Sequence, residues 1–104
     1  MIISGGENVY PAEVESAIFA HPAVADVSVI GVPDDKWGES VLAIVVLQPG
    51  ASAMEADIIA FSRLRIAAYK SPKAVLFVDE LPRNASGKVL RRELREPFWR
   101  GRDN

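Results

Sequence analysis

Two β-rich runs joined by one short turn constrain this chain more than any other feature. Val24 to Val32 is rich in Val and Ile and alternates around Asp26 and Ser28, as a strand does. Ser40 to Leu47 is apolar almost throughout, the pattern of a strand buried on both faces. Only Pro33 to Glu39 joins them, and Pro33-Asp34-Asp35 is turn chemistry. So short a joint makes antiparallel pairing the simplest arrangement.

The rest of the chain supplies what such a pair would pack against. Pro11 suits a first helical turn, with Glu13 and Glu15 near the positive end of the dipole. Val14, Ala17 and Ile18 form an apolar stripe, and His21-Pro22 stops that helix. Gln48-Pro49-Gly50 ends the second strand. Glu55 to Ala67 carries Ile58, Phe61 and Leu64 at helical spacing, and Ala74 to Val78 reads as a third strand after this crossover. Leu81 to Lys88 reads as a polar loop and Val89 to Glu96 as a short helix with Pro97 behind it. The order turn–α–β–β–α–β–loop–α predicts an α+β domain, a small mixed β-sheet with helices packed on it. Ile2-Ile3 stands apart: it needs a partner strand and none can precede it, as in a domain excised from a longer chain.

With 104 residues the chain is long enough for one domain and too short for two. Its 49% hydrophobic and 25% charged content excludes disordered, collagen-like and disulfide-scaffold chains. There is no Cys, which excludes thiolate chemistry and Cys-ligated zinc, and the lone His21 cannot build a His-rich metal site. No apolar run approaches the ~18 residues of a membrane span. The first residues lack the basic region of a signal peptide, so a cytoplasmic location is expected. Charge is uneven: residues 1–80 hold 5 Lys/Arg against 11 Asp/Glu, a net −6, and residues 81–104 hold 7 against 3, a net +4. The basic end suggests an anionic ligand or acidic partner near residues 83–95, or simply a solvated Arg-rich helix.

Two loops carry possible chemistry. Ser4-Gly5-Gly6 allows close backbone approach and positive φ ahead of a helix. Pro82-Arg83-Asn84-Ala85-Ser86-Gly87-Lys88 is superficially like a phosphate loop, but Pro82 replaces the first glycine and Val89 follows the lysine. What remains is an ammonium on a flexible, glycine-hinged loop, flanked by Arg83, Arg91 and Arg92. Such a cation can meet a developing negative charge.

The segments MIISGGENVYPAEVE, GVPDDKWGES, YKSPKAVLFVDELPR and LPRNASGKVLRREL occur in this order. Together they resemble the C-terminal lid domain of the AMP-forming acyl-CoA synthetases, within the adenylate-forming superfamily. The resemblance covers essentially all of residues 1–104. It implies a two-domain enzyme in which a large N-terminal domain, absent from this chain together with the hinge, holds ATP, the acid and the expected Mg2+. In the first half-reaction the acid's carboxylate attacks the α-phosphate of ATP, giving acyl-adenylate and pyrophosphate. Lys88 is the implied catalytic lysine of that step. The lid then rotates, and Ser4, Gly5 and Gly6 line a tunnel through which the CoA thiol reaches the acyl-adenylate.

Trp37 is implied to contact the CoA adenine; as a local staple over the sheet it would have a purely structural role. Tyr69, Lys70 and Lys73 match positions near the CoA nucleotide. Ser71 departs from the pattern, since some members carry Arg there. The implied activity is acid–thiol ligation, read as fatty acid–CoA ligation, with the isolated chain inactive. A lysine acetyltransferase acting on Lys88 is a further implied partner; no nucleic acid or membrane span is expected. The alternatives are loading of a carrier-protein pantetheine, or a stand-alone binding module that would leave the Gly-Gly loop and Trp37 unexplained.

Overall fold

The central β-rich runs pair antiparallel, and further than their composition predicts. In the computed structural model, which describes residues 1–101, β3 (Val24–Asp34) and β4 (Gly38–Leu47) match from Val24↔Leu47 to Asp34↔Gly38. The end of the basic segment, Arg102 and Asp103 included, lies outside the described residues. Pro33 lies inside β3 because β3 is the sheet's edge, where a missing N–H leaves the ladder intact.

β4 is the centre of the sheet. It pairs with β3, with β1 (Ile2–Ser4) antiparallel at Ser4↔Gly38, and with β5 (Ala74–Phe77) in parallel, so the sheet is mixed as expected. Ser40 to Val45 are all buried. Val41, Ala43 and Val45 enter one core with Val14 and Ile18 of α1 (Pro11–Phe19) and Ile58 of α2 (Glu55–Arg63). Leu42 and Ile44 enter a second core on the other face, with Ile30 and Leu81 and, at its margin, Leu94 of α3 (Arg91–Trp99). The continuous apolar run is thus two period-2 stripes, one per face. Ile44→Val is expected to cost about 0.5–1.5 kcal/mol, whereas Leu64→Ala, at a residue 86% exposed, should stay within about 0.5 kcal/mol. Urea unfolding with an unchanged m-value reads both.

Three elements differ from the sequence reading. Ile2-Ile3 does find a partner, but a following one: β1 pairs with β2 (Glu7–Val9) as Ile2↔Val9, Ile3↔Asn8 and Ser4↔Glu7. Gly5 at φ +59° and Gly6 at φ +85° make the two-residue hairpin turn that needs positive φ at both centres. Glu7-Asn8 has poor strand propensity, which hid it. The second helix stops at Arg63, not Ala67, and Leu64 leaves the expected stripe. There Ser62 Oγ donates back to the Ile59 carbonyl at 2.8 Å, and both Arg65 and Ile66 N–H turn to the Ser62 carbonyl. The last helix begins two residues later than expected and runs through Pro97. Its far end is anchored by Trp99, whose indole N–H donates to the Gly31 carbonyl at 2.8 Å, so a tertiary contact outweighs the proline.

No helix among the described residues is long and apolar enough to cross a membrane.

Candidate functional site

The Gly-Gly turn and Trp37, separated by some thirty residues of sequence, come together. Gly5 N–H donates to the Trp37 carbonyl at 3.0 Å. A Cβ placed on Gly5 would lie 2.6 Å from Trp37 Cε3, so the indole packs against the glycine backbone. Ser4 is buried beside them, opposite Gly38. The β3–β4 turn holds Trp37 in place: Asp34 Oδ1 accepts from the N–H of Lys36 at 2.8 Å and of Trp37 at 2.9 Å. Lys36 Nζ lies 4.8 Å from the ring centroid. Trp37 still leaves 41% of its surface exposed. It is therefore both a staple on the hairpin and an available aromatic surface.

The backbone donors of Trp37 and then Lys36 hold the Asp34 carboxyl below its ordinary 3.8. A depressed carboxyl stabilises the turn above its unfolded pKa and loses that effect as pH falls through the folded value. The turn should therefore hold at neutral and mildly acidic pH and open only below 3.8. An NMR titration of the Trp37 amide is the check; release near neutrality would contradict it.

The lysine loop is not a slack hinge. Arg83 bridges to Val89, Asn84 N–H donates to the Lys88 carbonyl at 2.9 Å, and Gly87 N–H donates to Asn84 O at 2.9 Å. Asn84 Oδ1 accepts from Ser86 N–H at 3.0 Å, Ser86 Oγ at 2.8 Å and Lys88 N–H at 3.0 Å. The backbone is a small braced hairpin. The Lys88 side chain on it is exposed, and its ammonium has no ion-pair partner among the described residues. Asn84 organises this hairpin, a structural role that the Asn-x-Ser-Gly pattern signals as an Asx turn.

The two hairpins stand at opposite ends of β3. The glycine turn is tied to the Asp34 end through Trp37, and the lysine loop to the Asp26 end through an Arg83–Asp26 ion pair. At 3.3 Å per residue these ends lie about 26 Å apart.

Tyr69 and Lys70 occupy a 3-10 turn, Ala68–Lys70, with Tyr69 44% exposed. Lys70 Nζ lies 3.1 Å from Glu13, in the first turn of α1, and this hydrogen bond raises it above its ordinary 10.5. Lys73 N–H donates to the Val41 carbonyl at 2.8 Å and its side chain is exposed. Val41 is three residues along β4 from Gly38, about 10 Å, so this group lies toward the glycine-hairpin end. Ser71 is buried, with its hydroxyl on the Ala67 carbonyl at 3.4 Å, and presents nothing to a ligand. Lys73 is thus the exposed cation here, while Lys70 is already engaged.

Three arginines of the basic C-terminal segment turn inward. Arg83, Arg91 and Arg95 pair with Asp26, Glu15 and Glu39 of the acidic body, and Arg100 pairs with Glu96. A cleft of about 500 Å³ lies under α3, but Arg91 and Arg95 on its wall are neutralised in this way. Part of the charge asymmetry of the sequence is therefore taken up by ion pairs within the domain. No group of three or more His, Cys, Asp or Glu that could hold a metal ion lies together among the described residues.

A mixed sheet with helices on both faces, carrying a glycine hairpin at one end and a lysine hairpin at the other, defines a recognisable class. Residues 13–88 match the AMP-binding enzyme C-terminal domain, and the chain belongs to that family. It is 57% identical over 95 residues to 4-chlorobenzoate–CoA ligase of Pseudomonas sp. (strain CBS-3), covering 90% of this chain and 18% of that protein. It is 49% identical over 98 residues to the fatty acid–[acyl-carrier-protein] ligase ScoC of Streptomyces coeruleorubidus, covering 94% and 19%. Among solved structures, a Mycobacterium tuberculosis fatty acyl CoA synthetase superposes with a TM-score of 0.88 at 52% identity, over 94% of this chain and 19% of that one. The chain spans about a fifth of the length of the curated relatives it matches.

Proposed function

We propose that this chain is the C-terminal lid of an AMP-forming acid–thiol ligase, working with an N-terminal domain that holds ATP and the acid. In this reading Lys88 swings onto the nucleotide while the carboxylate attacks the α-phosphate. Its positive charge offsets the negative charge that builds on the phosphate and carboxylate oxygens. The lid then turns, and Gly5 and Gly6, with no side chains to obstruct a narrow passage, replace it so that the thiol can reach the acyl-adenylate. Trp37 and the exposed Lys73, toward the same end, suit the adenine and phosphates of CoA; a stacking contact contributes about 1–3 kcal/mol by analogy with base–aromatic stacking.

The observation that carries this reading is the separation of the two hairpins, one bearing an unpaired exposed ammonium and the other stripped of side chains. One rigid domain with different tools at its two ends suits two half-reactions served in turn. Exposure of the Lys88 ammonium also suits acetylation, which would remove its charge and stop the first step.

The acid is read as a fatty acid. The named relatives act on a fatty acid and on 4-chlorobenzoate, so both acid classes belong in the assay. A carrier-protein pantetheine is the second acceptor to test, because one relative is named as a carrier-protein ligase. The full-length protein should show acid-dependent ATP–pyrophosphate exchange and release AMP on adding CoA. The isolated chain should show neither. Absence of exchange with every fatty and aryl acid, or turnover by the isolated chain, would overturn the proposal. AMP release with a carrier protein and not with CoA would move the acceptor to the second reading.

A further inference from the structure

We propose that Asp26 and Arg83 are positioning residues that set where Lys88 stands on the domain. The proposal rests on the adenylation role assigned to Lys88 above.

The inference starts in β3. Its pairing passes from Val24↔Leu47 directly to Asp26↔Val46, leaving Ala25 as an extra residue. Such a bulge bends a strand and re-aims the side chains beside it. Asp26 Oδ1 accepts from Val27 N–H at 2.9 Å, and Oδ2 accepts from the Arg83 guanidinium. The other terminal nitrogen of that guanidinium, Nη1, donates to the Gly87 carbonyl at 2.6 Å. Gly87 directly precedes Lys88. One planar fork therefore joins the edge strand to the backbone of the lysine, and Asn84 holds the opposite side through Lys88 N–H.

The two side chains remain 42% (Arg83) and 32% (Asp26) exposed. Exposed ion pairs add little to folding stability. What this pair supplies is geometry. A long lysine side chain reaches a defined point only if its backbone is fixed, and a displacement of 1 Å at a reacting group is enough to slow a step severely. A lysine at position 83 would not reproduce the link, because one ammonium lacks the rigid fork that spans carboxylate and carbonyl together.

The test uses the full-length protein and separates the half-reactions. Asp26→Asn keeps an oxygen for Val27 N–H and removes the charge that holds Arg83. Its adenylation kcat should fall about ten- to hundredfold, with the KM for ATP unchanged. Thioester formation from supplied acyl-adenylate and the thermal midpoint should be unchanged. Asp26→Glu, which keeps the charge on a longer arm, should recover part of the rate, and Arg83→Lys should behave like Asp26→Asn. Wild-type adenylation in Asp26→Asn, equal loss of both half-reactions, or no recovery with Asp26→Glu overturns the proposal. Lys88→Ala is assayed alongside. Full adenylation in that variant overturns the reading of Lys88 itself, whereas its loss beside an intact Asp26→Asn overturns only the positioning role.

Discussion

Lys88→Ala in the full-length protein is expected to lower adenylate formation about a hundred- to thousandfold, equivalent to roughly 3–4 kcal/mol of barrier. Thioester formation from supplied acyl-adenylate should continue at the wild-type rate. The size follows from removing one preorganised charge at the point where negative charge develops. The selectivity follows from position, since Lys88 lies at the Asp26 end of β3 and the glycine hairpin at the Asp34 end. The fold should be untouched, because the side chain is exposed and the hairpin is held by Asn84 and Arg83 rather than by the ammonium. Pyrophosphate release and thioester production, measured separately, are the readouts. Equal loss of both would remove the case for a lid that alternates between two faces.

Gly5→Val should produce the reverse pattern. Thioester formation is expected to fall about a hundredfold, the scale of a 1 Å displacement at a reacting group, while ATP–pyrophosphate exchange persists. Two effects act at this position. Gly5 has φ +59°, which a β-branched residue tolerates poorly. Its new Cβ would also lie 2.6 Å from Trp37 Cε3. The backbone of Trp37 is fixed on both sides, its N–H donating to Asp34 and its carbonyl accepting from Gly5 N–H, so the clash is relieved only by rotating the indole off the glycine. Gly6 is the internal control. At φ +85° a Cβ there meets nothing within 4 Å, so Gly6→Ala reports backbone strain alone, about 1–3 kcal/mol. Combining Gly5→Val with Trp37→Ala should relieve the clash and leave the φ strain, and thioester formation should stay low if Trp37 serves the thiol site as proposed. A wild-type rate of thioester formation in Gly5→Val would count against the glycine hairpin as the passage for the thiol.

The residues that carry these predictions were legible in the sequence to different degrees. Lys88, the paired glycines and Trp37 were singled out from side-chain chemistry and motif order, and the structure adds that Trp37 sits on Gly5. Lys70 and Lys73 looked equivalent as neighbouring cations. Their difference depends on Glu13, 57 residues from Lys70 in the chain, which reaches one and not the other. Asp26 read only as a polar position in an alternating strand, because nothing in one sequence signals that a bulge will turn it toward Arg83.

By itself the sequence determined the local order: the β3–β4 pair, the helix start at Pro11, a third strand after a helical crossover and the identity of the lysine and glycine loops. The elements follow from periodicity and from φ preferences acting over a few residues, and the loops from the order of motifs that resembles a known family. Only the tertiary structure decided which loop stands at which end of the sheet, that Ile2–Ser4 pairs forward with Glu7–Val9, and that three arginines of the basic tail pair with the acidic body. Those outcomes depend on strand register and on charge pairs between residues far apart in the chain, which no local pattern contains.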